Sequence, residues 1–185
     1  MLSLQRRIFV DVDGVLADFV GEALAWHGLP RNTLITQYNL WDQLGMSQED
    51  FWREIDRESF WSDLKPTPES GAVLLAADRF APGGVCLVTE PRPVPCSYAG
   101  KFRWLRHHCQ HLPHLIGPSR NFAAGPGRVL IDDSDSNIDR WRLAGGNGIL
   151  FPRTWNGNRA YAGDPVDYLR TMLRRVEMRS AMVDD

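Results

Sequence analysis

Seven polar side chains in this 185-residue chain stand where phosphate and hard-cation chemistry would need them: Asp11, Asp13, Thr89, Lys101, Asp132, Asp133 and Asn137. The first two carry the most information. Residues 8–12 (Ile-Phe-Val-Asp-Val) form an apolar, β-branched run of the kind that builds a buried parallel strand. Asp11 interrupts that run and Asp13 follows its end. A carboxylate inside a buried strand is expensive to desolvate unless it is paired or binds a metal. Gly14 then permits a tight turn in which backbone can approach a ligand closely. The segment predicts two carboxylates at the C-terminal edge of a sheet, where open α/β folds bind ligands. A plain strand followed by an Asp-Gly turn is the competing structural explanation.

The run Leu87-Val88-Thr89 ends a second strand with a hydroxyl placed to donate to a phosphate oxygen. Lys101 lies in the following helical segment, within reach of the same anion. Taken singly, strand-end threonines and helix lysines are mostly structural or solvated. The run Val129-Leu-Ile-Asp132-Asp133 repeats the logic of the first cluster, and Asn137 follows at helical distance. Helix N-capping is the other use of such adjacent acids. Acids at two parallel strand ends, with one Thr and one Lys, describe a site for a hard cation and a phosphate. Mg²⁺ suits an oxygen-rich site with few protein carboxylates, because it retains waters and shares phosphate oxygens. Phosphoryl transfer then needs positioning and charge neutralisation above all. A carboxylate nucleophile divides hydrolysis into formation and breakdown of an aspartyl-phosphate. A second acid can protonate the leaving alkoxide and later take a proton from the attacking water.

The elements that must position these groups are legible from periodicity and punctuation. Residues 18–27 have helical spacing, with Phe19, Ala23 and Trp26 on one face and Gly28-Leu29-Pro30 as the stop. Residues 31–46 show no clear pattern. Ser47 with Asp50 resembles a capping box that opens a helix reaching about residue 58. Residues 65–68 read as a rigid link, with Thr67 capping the next helix and Pro68 at its first position. That helix continues through Ala76 and ends at Pro82-Gly83-Gly84. Further strands are predicted at 85–89, 115–116, 129–132 and 148–151. Further helices are predicted at 97–108, at 134–144 and from Asp164-Pro165 through Val176, with 178–185 frayed.

Strands thus alternate with helices, which predicts a doubly wound parallel sheet. The expected architecture is an α/β core of residues 1–17 and 67–185, with a small helical cap of residues 18–66 inserted after the first strand. The cap holds Trp26, Trp41, Trp52 and Trp61, four of the seven tryptophans, and its place beside the Asp11 strand suggests a lid. Tryptophans that merely fill the cap's own core are the alternative.

Composition narrows the class. Hydrophobic residues at 43% and charged residues at 24% are ordinary for one globular domain. A formal charge of −2 offers no basic field for a long nucleic acid. No apolar run approaches the ~20 residues that span a bilayer. The N-terminal Met-Leu-Ser-Leu-Gln-Arg-Arg reads directly into a strand without a signal-peptide core. Cys86, Cys96 and Cys109 fit no metal or redox spacing, so reduced thiols and a cytoplasmic setting are expected. A homodimer is compatible with the sequence. The run His107-His-Cys-Gln-His111, with His114 beyond, matches no zinc spacing and reads as a solvated helix end. Gly145-Gly-Asn-Gly148 follows a helix, so it reads as a C-terminal cap and turn.

The ordered set D-x-D-G-V, Thr, Lys, D-D-x-x-x-N resembles the haloacid dehalogenase-like phosphohydrolase superfamily over roughly residues 8–150. Within it the chain is most similar to the 5′(3′)-deoxyribonucleotidases. The stretch Asp11-Val-Asp-Gly-Val-Leu-Ala-Asp-Phe19 matches their opening motif almost throughout. The stretch Phe60-Trp-Ser-Asp-Leu-Lys-Pro-Thr-Pro68 resembles their aromatic segment before the helix with Gly71-Ala72. Lys101-Phe-Arg-Trp104 resembles their lysine helix, and Ser119-Arg120 their phosphate-proximal arginine.

The resemblance implies a Rossmann-like core, a Mg²⁺ cofactor and a small phosphorylated substrate such as a nucleoside monophosphate. It implies Asp11 as nucleophile and metal ligand, and Asp13 as general acid/base with its backbone carbonyl on the metal. Thr89 and Lys101 would hold the phosphoryl group, Asp132 would bind the metal, and Asp133 with Asn137 would support the site. Arg120 would approach the phosphate, while Phe19, Trp41 and Trp61 would face the base. Glu90-Pro91 departs from the family's usual Ser-Pro, and a carboxylate there repels phosphate unless Arg92 or Arg120 pairs with it. Three readings compete with a nucleotide monophosphatase. One is a phosphatase for sugar phosphates or other small phosphoesters. Another is a nucleic-acid 3′-end phosphatase, disfavoured by the lid and the lack of a basic stripe. The last is a non-enzymatic phosphoacceptor or Mg²⁺-binding domain, which has no need of Asp13 or a lid.

Overall fold

The structure is a computed structural model that describes residues 6–118 and 120–181. Ser119, paired with Arg120 in the sequence motif, lies outside the described residues, as do 1–5 and 182–185. Five strands form one parallel sheet: β1 (Arg7–Asp11), β2 (Val85–Thr89), β3 (His114–Ile116), β4 (Arg128–Asp132) and β5 (Asn147–Leu150). Their order is β3-β2-β1-β4-β5, so the first strand is central and the chain winds outward from it in both directions. This is the expected doubly wound parallel sheet. Register sets the site: Val10 pairs with Ile131 and Asp11 with Val88, so Asp11 and Asp132 leave adjacent strands at one level. Thr89 follows one residue beyond Val88. Ile8, Val10, Leu87, Val129 and Ile131 are buried among helices on one side, and Phe9, Val88 and Leu130 among those on the other.

The helices are α1 (Phe19–Trp26), α2 (Leu40–Leu44), α3 (Gln48–Ile55), α4 (Glu58–Ser62), α5 (Ser70–Phe80), α6 (Pro95–His108), α7 (Asp135–Leu143) and α8 (Pro165–Ala181). Several boundaries differ from expectation, three of them for visible reasons or by more than two residues. The helix opened by Ser47 stops at Ile55, because Asp56 is held from outside: its carboxylate takes Arg92, and its carbonyl accepts the Cys96 thiol at 3.3 Å. Thr67 does not cap α5. Its hydroxyl donates to the Val15 carbonyl at 2.7 Å, and the helix starts after Glu69, which makes no side-chain cap. Helix α8 continues past residue 178 to Ala181, where fraying was expected.

The segment that leaves β1 and returns to α5 is closed at its base. Asp18 N–H donates to the Lys65 carbonyl at 2.7 Å and Thr67 N–H to the Leu16 carbonyl at 2.8 Å, so outgoing and returning chain run side by side. Helix α4 then lies directly on α6. Gly100 makes that approach possible, since a Cβ there would fall 2.4 Å from the Trp61 Cβ and 2.6 Å from the Glu58 carbonyl oxygen. The apolar residues of the cap, among them Phe51, Ile55, Phe60 and Trp61, are continuous with those under the sheet.

Candidate active site

The C-terminal ends of β1, β2 and β4 deliver their polar residues to one point. Carboxylate oxygens of Asp11, Asp132 and Asp133 all lie within 4.8 Å of one another, and all three residues are buried. Arg120, delivered by the 3-10 turn Arg120–Ala123, crosses this cluster. Its Nη1 donates to Asp11 Oδ1 at 2.9 Å and also pairs with Asp132 Oδ2. Asp132 further accepts Ser134 N–H at 2.9 Å and Asn137 Nδ2 at 3.1 and 3.2 Å. Ser134, rather than either acid, caps α7.

Asp13 faces a different set of partners. Its Oδ2 is paired with Lys101 Nζ and lies 3.4 Å from the Thr89 hydroxyl, and Lys101 Nζ donates to Thr89 Oγ1 at 3.0 Å. Lys101 is buried on α6 with its ammonium 4.6 Å from the centre of the Trp61 ring. Asp13 Oδ1 is buried without a hydrogen-bond partner among the described residues, and so is Arg120 Nε. The two acids of the opening motif therefore occupy unlike surroundings: one sits in an acidic cluster bridged by Arg120, the other on a Lys-Thr pair with one oxygen free.

Electrostatics follow from this crowding. Burial, then the Asp132 charge, push Asp11 well above the ordinary carboxylate range, and Arg120 opposes them. Burial raises Asp132 to about 6, against the pull of Arg120. Burial and the Asp11 charge raise Asp133 to about 7. Burial disfavours the charged Arg120 guanidinium, but Asp11 and Asp132 outweigh that and hold its pKa up. Buried carboxylates here outnumber the cations that face them. An all-oxygen donor set with surplus negative charge fits a hard divalent cation such as Mg²⁺. Asp11, Asp132 and Asp133 are the side chains that would hold it.

A cleft of about 460 Å³ opens over these groups, a usual size for a small-molecule site. Most of its aromatic lining comes from residues 19–61, with Phe19, Trp41, Trp52 and Trp61 among them, and Trp155 joins from the loop after β5. Trp61 is only 2% exposed and stacks on Phe19 at 5.7 Å and 19°, and on Trp52 at 6.3 Å and 17°. It backs the wall, whereas Phe19, Trp41 and Trp52 are half-buried. Glu90 is exposed at the rim and pairs with neither Arg92 nor Arg120 within 4 Å, although its charge acts on Arg120. Arg92 instead grips Asp56 at 2.9 Å and lies over Trp52 at 4.3 Å. No histidine joins a metal-type cluster among the described residues.

Sequence reasoning named Trp52 only as one of the four tryptophans of residues 18–66, and did not single out Arg153, Trp155 or Asn156. Trp155 Nε1 donates to Asp133 Oδ2 at 2.9 Å, and Asn156 Nδ2 to the Asp133 carbonyl at 2.9 Å. The signal for the last three was the polar loop after Phe151. It stands at the end of a fifth parallel strand, on the edge where β1, β2 and β4 carry Asp11, Thr89 and Asp132.

The family described as 5′ nucleotidase, deoxy (pyrimidine), cytosolic type C protein (NT5C) matches residues 5–162. No curated protein matches the chain. Similar solved structures include a hydrolase from Pseudomonas syringae, 12% identical over 78% of this chain and 82% of that one, with a TM-score of 0.45. A haloacid dehalogenase-superfamily hydrolase from Geobacter sulfurreducens is 18% identical over 77% and 87%, with a TM-score of 0.48. A family enzyme from Bacteroides thetaiotaomicron, in complex with magnesium and inorganic phosphate, is 14% identical over 84% and 98%, with a TM-score of 0.42.

Proposed function

The chain belongs to the 5′ nucleotidase, deoxy (pyrimidine), cytosolic type C family of phosphomonoester hydrolases, and from that premise we propose a Mg²⁺-dependent phosphatase that converts (deoxy)ribonucleoside monophosphates to nucleoside and phosphate. The observation that carries the mechanism is the contrast between Asp11 and Asp13. Asp11, facing Arg120, is the nucleophile. One of its oxygens attacks phosphorus, the bond to the nucleoside oxygen breaks, and Asp11 carries the phosphoryl group as an aspartyl-phosphate. Asp13 Oδ1, free of other partners, gives its proton to the departing alkoxide. It then takes a proton from the water that attacks the aspartyl-phosphate, which releases phosphate and restores Asp11. Lys101 and Thr89 hold the phosphoryl oxygens beside Asp13, and Arg120 turns from the carboxylates toward the phosphate. Mg²⁺ held by Asp11, Asp132 and Asp133, with the Asp13 backbone carbonyl, would offset the repulsion between nucleophile and phosphate.

The half-buried faces of Phe19, Trp41 and Trp52 line the cleft on the cap side and support a base as the leaving group's bulk. The family's own description as cytosolic supports a cytoplasmic location. The deciding experiment is phosphate release from a panel of deoxyribonucleotides, ribonucleotides and sugar phosphates, with and without chelator. Nucleotide hydrolysis that stops on chelation and returns with Mg²⁺ supports the proposal. Full activity after exhaustive chelation, or a preference for sugar phosphates, overturns it.

A further inference from the structure

Strand β5 runs into a loop whose side chains reach the site from behind, with the Trp155 ring also lining the cleft. Arg153 Nε donates to the Gly14 carbonyl at 2.6 Å. Its two terminal nitrogens hold Glu69 at 3.3 Å each, and the guanidinium lies 4.8 Å from the centre of the Phe151 ring. Trp155 Nε1 donates to Asp133 Oδ2, and Asn156 ties the Asp133 carbonyl to that of Phe151. Arg153 lines a separate hollow of about 290 Å³ to which none of Asp11, Asp13 or Asp132 contributes.

We propose that Arg153 and Trp155 are positioning residues that set the affinity of the Asp11-Asp132-Asp133 cluster for a divalent cation. The inference deepens the Mg²⁺-phosphatase reading and rests on it. A carboxylate free to rotate must be ordered before it can ligate. A single N–H bond at Oδ2 orders Asp133 in advance. Gly14 has a positive φ of 74°, in a turn whose inner face is tied by Gly14 N–H to the Ala17 carbonyl at 2.9 Å and Leu16 N–H to the Val12 carbonyl at 2.8 Å, and whose outer carbonyl is left to Arg153. A fixed donor on its carbonyl holds the Gly14–Val15 peptide, one unit beyond the Asp13 carbonyl, and the fork onto Glu69 keeps that donor from swinging away. Partners that orient a ligand from behind typically govern metal affinity or activity by about 10–100-fold.

The test is Mg²⁺ binding to substrate-free protein by calorimetry, read beside Tm and the substrate KM at saturating Mg²⁺. Trp155→Phe keeps the ring and removes the N–H. Its Mg²⁺ Kd is expected to rise about tenfold, with Tm nearly unchanged and a smaller change in KM, because the ring that lines the cleft is kept. Arg153→Met is expected to weaken Mg²⁺ similarly, and Arg153→Lys, which keeps a donor for Gly14, to recover much of the loss. Wild-type Mg²⁺ affinity in both Trp155→Phe and Arg153→Met overturns the proposal. So does a loss of affinity that only tracks a fall in Tm and is not rescued by lysine. Wild-type protein that binds no Mg²⁺ would instead overturn the functional reading beneath it.

Discussion

A methyl group on Gly14 would lie 2.2 Å from Asp133 Oδ2, so these two residues meet only because position 14 has no Cβ. The turn that carries Asp13 is thereby seated against the acid that follows β4. A side chain at a φ of +74° also strains the backbone by about 1–2 kcal/mol. Gly14→Ala is expected to lower Tm and to reduce phosphate release by at least 100-fold, because both the turn and Asp133 must move. Melting curves and turnover on the purified variant check this, and near-native values of both would contradict it.

The two motif aspartates should fail differently. Asp11→Asn removes the nucleophile and is expected to abolish turnover. Asp13→Asn keeps a side chain of the same size beside Lys101 and Thr89 and should still bind phosphate and metal. Its kcat should fall by about 10²–10⁴-fold, the usual contribution of a general acid/base. Single-turnover kinetics with acid trapping of phosphoenzyme separates the two steps. Substantial turnover by Asp11→Asn would require another nucleophile.

Stability should depend on pH through Asp132 and Asp133. Burial raises them to about 6 and about 7, above the 3.8 of a free carboxyl. The native state therefore holds these protons more tightly than the unfolded chain does. This contribution favours the fold most below about pH 4 and is lost as pH rises toward 7. Metal-free protein should lose part of its Tm between pH 5 and pH 8 for this reason, and Asp133→Asn should lose less. Mg²⁺ competes with protons for the same oxygens, so it should raise Tm more at pH 8 than at pH 5. Thermal melts with and without Mg²⁺ at the two pH values measure this. An equal or larger Mg²⁺ effect at pH 5 would contradict it.

The strand ends were legible because each is an apolar run that stops at Asp11, Thr89 or Asp132, and parallel pairing brings such ends to one edge. What was not legible came from contacts between distant segments. Thr67 looks like a helix cap in its local sequence, but the Val15 carbonyl, 52 residues away, takes its hydroxyl. The end of α3 is set by Arg92 and Cys96, which periodicity near residue 55 does not reveal. Arg153 meets Gly14 across 139 residues through a loop that has no repeating pattern to read. The cap aromatics were visible as a cluster. Only packing distinguishes Trp61, sealed between Phe19 and Trp52, from neighbours with an open face.

Specificity should rest on that open face. Phe19 stacks on Trp61 behind it and meets Phe60 edge-on at 5.8 Å, and it borders the cleft. Base-aromatic stacking is worth roughly 1–3 kcal/mol, and ~1.4 kcal/mol is a factor of ten. Phe19→Ala is expected to lower kcat/KM for nucleoside monophosphates by about tenfold or more, and to affect a small aryl phosphate less. Equal losses on both substrates would mean that Phe19 serves packing alone. Glu90 gives an independent handle, because it is exposed at the rim and makes no ion pair among the described residues, while its charge acts on Arg120. Glu90→Ser removes a negative charge from the mouth of an anion site and should leave nucleotide turnover unchanged or raise it. A large loss would show that Glu90 reads a feature of the substrate, and a ribose hydroxyl is the donor within the chemistry of a carboxylate. Comparing each deoxyribonucleotide with its ribonucleotide in Glu90→Ser decides that point, since only a hydroxyl contact makes the loss larger for the ribose form.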